Sequence, residues 1–176
     1  MIFFWRDEPA SVEEIELLNE LHAAHAISAF RNNASSIAVA NSAAGSGSYF
    51  QAMAAALMML GGVHGPLLQS YDLLSGKTFT GTQPGWGNSF VKGEPDAAWS
   101  KVDLLLEKNW PSIYSVICLK TKELHNLGKK IYPNPSIYTA AVAHAIKLPK
   151  EVVPVLFIRS RLEAWSDIFL KNRKDF

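Results

Sequence analysis

Five histidines, one cysteine and a scatter of arginines carry most of the chemical potential of this 176-residue chain. His22 and His25 are spaced so that two imidazoles share one helical face, as in a metal site. No third ligand stands at a convincing interval, so no metal is expected, and His22 reads as a packed or capping side chain. His64 lies in Gly61-Gly62-Val63-His64-Gly65-Pro66, a run suited to a tight turn at a helix start. His125 and His144 fall on amphipathic stretches and read as structural or solvated. Cys118 sits in an apolar run and reads as a buried thiol rather than a nucleophile; a lone cysteine excludes an intramolecular disulfide. Gly45-x-Gly47 and Gly85-x-Gly87 lack the strand–turn–helix context of a nucleotide loop and read as turns.

The elements that must position these residues are helices almost throughout. Ser11-Val-Glu-Glu14 is a capping box, in which the serine hydroxyl accepts from the N3 backbone N–H while the glutamate reaches back. Ile15, Leu18, Leu21 or His22, and His25 then continue one face at helical spacing. A second helix is expected over 33–44, broken by Gly45-Ser-Gly47. Phe50 to Leu60 is apolar nearly all round, which predicts a central buried helix. A short helix follows over 66–74, and the glycine-rich stretch 76–93 is the one long loop. Further helices are expected at 95–108, 111–127, 136–146 and 150–171, with Pro154 tolerable only in a first turn. No strand and no internal repeat is evident, so the class is all-α.

Nearly half the residues are apolar and the net charge is +1, which describes a packed globular chain with no electrostatic footprint for nucleic acid. The start is too acidic and its apolar run too short for a secretory signal, and no stretch reaches the roughly 20 apolar residues of a membrane span. These features predict a soluble, cytoplasmic protein with no membrane or nucleic-acid partner. Ile2, Phe3, Phe4 and Trp5, together with the apolar Met53–Leu60 segment, exceed what one chain of this size can cover. A homodimer or higher homo-oligomer is therefore expected.

Four landmarks, in order, resemble the citrate synthase family over roughly residues 17–168. They are Leu21-His22-Ala-Ala-His25; Leu60-Gly-Gly-Val-His64-Gly65-Pro66; Pro84-Gly-Trp-Gly87 followed by Glu94-Pro95-Asp96-Ala97; and Tyr132-Pro-Asn134, leading to Val155-Leu-Phe157 and Arg161. The resemblance implies a citrate-synthase-like helical fold comprising the small domain and flanking large-domain helices. On that basis 1–70 and 150–176 correspond to large-domain parts, and 71–149, with loop 76–93, to the small domain.

The family joins an acyl-CoA to a 2-oxoacid, or runs backwards as a citryl-CoA lyase. By resemblance His64 matches the histidine that stabilises the enol oxygen, His25 a histidine that contacts the oxoacid, and Arg161 an arginine that binds a substrate carboxylate. Lys130 and Asn134 match positions near the CoA arm; a coenzyme A thioester would be a substrate, not a permanently bound cofactor. Asn88 stands where the family polarises the ketone with a histidine, and Ser136 where it has its general base. Ser89 and Asp96 replace two arginines. A hydroxyl without an activating partner cannot take a proton near neutral pH, and general-base assistance is typically worth about 10²–10⁴-fold. The resemblance therefore implies a non-catalytic or repurposed protein that keeps acyl-CoA or carboxylate binding. The alternative is an active citrate-synthase-type acyltransferase or lyase whose base is a non-family residue such as Glu94 or Asp96. It would act alone or with a second chain supplying the helices and crossing arginine that the family has and this sequence lacks. Arg159 and Arg173 are conceivable substitutes for that arginine.

Overall fold

The computed structural model describes residues 8–31, 33–60, 65–88 and 91–174. His64, Ser89 and the Ile2–Trp5 run lie outside them. The described residues form helices α1 (Val12–Ala29), α2 (Ala34–Ala44), α3 (Tyr49–Met58), α4 (Leu67–Leu74), α5 (Ser100–Asn109), α6 (Pro111–Asn126), α7 (Pro135–Ala145) and α8 (Val153–Asn172). Single 3-10 turns at Ala97–Trp99 and Lys150–Val152 lead into α5 and α8. Among these residues there is no strand, only an isolated antiparallel bridge between Trp86 and Pro133. The chain is all-α.

Helix starts follow local chemistry. Ser11 caps α1 in a complete capping box with Glu14, Ser48 does the same for α3 with Gln51, and Asn33 and Asn134 cap α2 and α7 through their side-chain oxygens. Pro154 falls in the first turn of α8, where its missing N–H costs nothing.

The centre of the molecule is α7, whose residues from Ser136 to Ala143 are all buried, as is Ala145. Its Ala-rich sequence lets α1, α4, α5, α6 and α8 approach it closely. Around it lies the larger apolar cluster, including Leu17, Leu21, Trp99, Leu106, Ile117 and Phe157. A smaller cluster joins α2, α3 and the far half of α8 through Val39, Ala52, Ala56, Trp165 and Phe169. Both α1 and α8 run through the two clusters: Leu17, Leu21, Val153 and Phe157 belong to one, Ala29, Ala164 and Trp165 to the other.

Two sequence expectations are corrected. The all-round apolar segment after Gly47 is not a central helix. In α3 only Ala52, Met53 and Ala56 are buried, while Phe50 is 82% and Met58 85% exposed. Being apolar on every side does not decide which side faces the core, and α7 has taken the centre with smaller residues. Cys118 is likewise exposed. Helix α6 buries one seam, at Ile117 and Leu124, so the neighbouring Cys118 and Leu119 turn outward.

Candidate functional site

A cleft of about 530 Å³ lies where the end of α1, the starts of α2, α4 and α7, the 79–88 loop and the middle of α8 converge. Its size suits a small organic ligand. The only ionisable side chains among its described lining residues are Arg31 and Arg161; no carboxylate, lysine or histidine is among them.

Arg161 is placed by α8, one turn after Phe157, at the seam of the two apolar clusters. It is only 4% exposed. Its Nε donates to His25 Nδ1 at 3.3 Å, its Nη2 to Ser28 Oγ at 3.2 Å, and its guanidinium carbon lies 4.6 Å from the centre of the Phe157 ring. Arginine offers donors only, so His25 Nδ1 must be the acceptor and the imidazole neutral. The proton then sits on Nε2, which donates to Thr139 Oγ1 at 2.8 Å; Thr139 passes its own proton toward the Pro135 carbonyl oxygen, also at 2.8 Å. Burial holds His25 well below the usual histidine range, and the nearby Arg161 charge adds to that. Burial likewise brings the Arg161 guanidinium down to about 10. No described carboxylate lies within ion-pair distance of Arg161.

The other cation of the cleft is already neutralised. Arg31 Nη1 pairs with Asp96 Oδ2, and Asp96 Oδ1 accepts from the Ala98 backbone at 3.0 Å, capping the turn that starts α5. The Asp96 side chain is 3% exposed. Asp96 thus faces its own counter-ion rather than an approaching anion.

Asn134 fixes the third wall. Its Oδ1 accepts from Ser136 N at 2.9 Å, its Nδ2 donates to Gly87 O at 3.0 Å, and its backbone N–H donates to Gly85 O at 2.9 Å. These bonds tie the 84–88 loop to the start of α7. Gly85 makes the approach possible: it has φ +92, and a Cβ there would stand 2.6 Å from Ile137 Cβ. Trp86 covers this junction, donating from Nε1 to Thr121 Oγ1 at 2.9 Å. Ser136 lines the cleft from the first turn of α7, and its hydroxyl makes no hydrogen bond among the described residues. The positive ends of the α2, α4 and α7 dipoles reach the same space. Gln83 Oε1, on a lining residue, is buried without a partner among the described residues.

Of the residues singled out by sequence, the cleft brings together Arg161, Asn88, Ser136 and Asn134. His25 does not line it. It is fully buried behind Arg161 with both ring nitrogens engaged, edge-on to Trp99 and Phe157. In this structure the imidazole braces Arg161, and it is Arg161 that lines the cleft. Asn134 is spent on the cap and the loop. Lys130 borders a smaller cleft of about 330 Å³, beside Lys92, Glu94 and Tyr132, and Gly87 and Asn88 edge both clefts. His64 falls outside the described residues. Arg31 has no signal of its own in the sequence; its partner Asp96, an acid where the resemblance places an arginine, is the visible half of the pair. No group of three or more His, Cys, Asp or Glu side chains among the described residues is arranged to hold a metal ion, and no described helix is long and apolar enough to cross a membrane.

No protein-family model matches the sequence. No curated protein matches it either. Among solved structures the chain is similar to citryl-CoA lyase from Hydrogenobacter thermophilus, with a TM-score of 0.76 and 18% identity over 97% of this chain and 73% of the lyase. It is also similar to citrate synthase from the thermophilic archaeon Thermoplasma acidophilum, a ternary complex with carboxymethyl coenzyme A and oxaloacetate. There the TM-score is 0.71 and the identity 19%, over 94% of this chain and 50% of the synthase. The present chain thus spans about half the length of the synthase. Its fold is citrate-synthase-like.

Proposed function

We propose that this citrate-synthase-like fold serves as a binding module for a small carboxylic acid and does not carry out the condensing or lyase reaction. One observation carries the reading: Arg161 is buried beside the cleft with no described carboxylate partner. A desolvated guanidinium is costly unless an anion completes it, and its planar fork suits a carboxylate. The three helix N-termini favour the same charge.

The second half of the reading rests on what the described lining offers. Ser136 has a hydroxyl but no base among its described neighbours, and Asn88 can donate a hydrogen bond without carrying charge. Asp96, a candidate base by sequence, is committed to Arg31 and to its cap. Glu94 borders the smaller cleft. Enolisation of a thioester needs a carboxylate or equivalent within reach of the α-proton, and the lining residues described here supply none.

Two measurements on the purified chain test this. Calorimetry with short 2-oxoacids is expected to show binding that Arg161→Met abolishes. Incubation with acetyl-CoA and oxaloacetate is expected to release no free thiol. Thiol release dependent on His64 would instead establish an active acyltransferase, with the base supplied from outside the described residues or from a second chain. Unchanged binding by Arg161→Met would remove the carboxylate reading.

A further inference from the structure

Two arginines border the cleft, yet only one has charge to give. Arg31 is held by Asp96, whose carboxylate is buried and doubly engaged: one oxygen takes the Arg31 guanidinium, the other caps the 97–99 turn. Arg161 is braced by three neutral groups, His25, Ser28 and the Phe157 ring, and its charge has no described counter-ion. The remaining described lining carries no charge: Met59, Leu60, Phe79 and Trp86 give it apolar wall, and neutral polar groups such as Gln69 and Asn88 are set among them.

Building on the carboxylate-binding reading, we infer that Asp96 sets the ligand's charge, and that the cleft selects a monocarboxylate with a neutral, largely apolar body over a dicarboxylate. The first carboxylate completes Arg161. A second has two options. It can settle for neutral donors and the partial charge of a helix N-terminus, with no full cation beside it, or it can draw Arg31 away and leave the Asp96 carboxylate buried and unpaired. Either choice forfeits a charge pair that a single-headed acid keeps. Asp96 is thus a specificity-determining residue that acts through Arg31 without touching the ligand.

A matched pair of acids isolates the effect. Oxaloacetate differs from 2-oxobutyrate by a carboxylate in place of the terminal methyl, so the keto and first carboxylate groups are held constant. By calorimetry the wild-type chain is expected to bind 2-oxobutyrate at least about ten-fold more tightly than oxaloacetate. Asp96→Asn keeps a side-chain oxygen for the cap while releasing Arg31. It is expected to tighten oxaloacetate by about ten-fold or more and to leave 2-oxobutyrate within about two-fold. Asp96→Ser, also a competent N-cap, gives the same result should the asparagine variant fail to fold.

A wild-type chain that prefers oxaloacetate, or an Asp96 variant that shifts both acids equally, overturns the inference while leaving carboxylate binding intact. A chain that binds neither acid, with wild-type or with neutralised Asp96, overturns the carboxylate reading and this inference with it.

Discussion

Replacing His25 with glutamine separates what this residue contributes as a hydrogen-bonding group from what it contributes as a titrating one. In the folded chain Nδ1 accepts from Arg161 and Nε2 donates to Thr139, in a site with no exposure to solvent. Protonating Nδ1 would abolish the Arg161 bond and set two cations 3.3 Å apart. The folded state therefore resists the proton, and its affinity lies well below the ordinary value of 6.5. The unfolded chain takes up the proton at that ordinary value. Above pH 6.5 both states are neutral and the His25 contribution is fully present. Below it, stability falls by about 1.4 kcal/mol per pH unit until the folded-state value is reached. Between pH 6.5 and 5.0 the loss from this residue is about 2 kcal/mol.

Glutamine reproduces the acceptor and the donor but has no proton to gain. His25→Gln should cost about 1–3 kcal/mol at pH 8, through the lost edge-on contacts with Trp99 and Phe157. That cost should shrink by about 2 kcal/mol as the pH is lowered to 5.0. Urea unfolding of both proteins, followed by tryptophan fluorescence at half-unit pH steps, measures the difference directly. Taking the difference also cancels the contributions of His22 and His144, whose values burial likewise lowers. Parallel stability curves for the two proteins over this range would refute the buried neutral imidazole.

Asp103 contributes with the opposite sign. Burial lifts its carboxyl to about 6 against the Tyr138 hydroxyl bond at 2.9 Å, so the folded state gains a proton before the unfolded one does. Asp103→Asn should stabilise the chain by about 1–2 kcal/mol at pH 8, after discounting for partial exposure, and by little at pH 4; equal effects at both pH values would refute this. Gly85→Ala should cost about 3 kcal/mol in unfolding, from positive-φ strain plus the clash with Ile137. Gly87→Ala, at φ +89 with nothing within 4 Å, should cost about 1 kcal/mol; equal costs would show that the loop does not press on α7. The exposed Phe50 and Met58 side chains of α3 are expected to be covered by a second copy of the chain. The paired change Phe50→Glu and Met58→Glu should then lower the mass seen by light scattering, and a wild-type monomer at micromolar concentration would count against it.

The helices were legible because their ends are written in short-range chemistry. Ser11, Asn33, Asn134 and the glycines after α2 act within a turn of where they stand. Burial was less legible wherever an apolar run covers several faces. Nothing local in Phe50–Leu60 says that its alanines face inward, or that Cys118 is one position off the seam of α6. The site divides the same way. Asn134 and Ser136 could be placed from the motif that begins α7, and Arg161 from its spacing after Phe157. The pairings that give the site its character join distant segments: His25 with Arg161 and Thr139, and Arg31 with Asp96. A motif records which residues are present and leaves open which of them will neutralise one another across the fold.

Helices α1 and α8 pass unbroken through both apolar clusters and so act as two struts set side by side. At about 1.5 Å per residue, the 20 residues of α8 form a rod about 30 Å long. Swinging one cluster away from the other would have to bend both rods at once, near Arg161 on one and His25 on the other, where the buried hydrogen bonds lie. The consequence is kinetic. The cleft should admit a ligand without a slower step in which one cluster swings against the other.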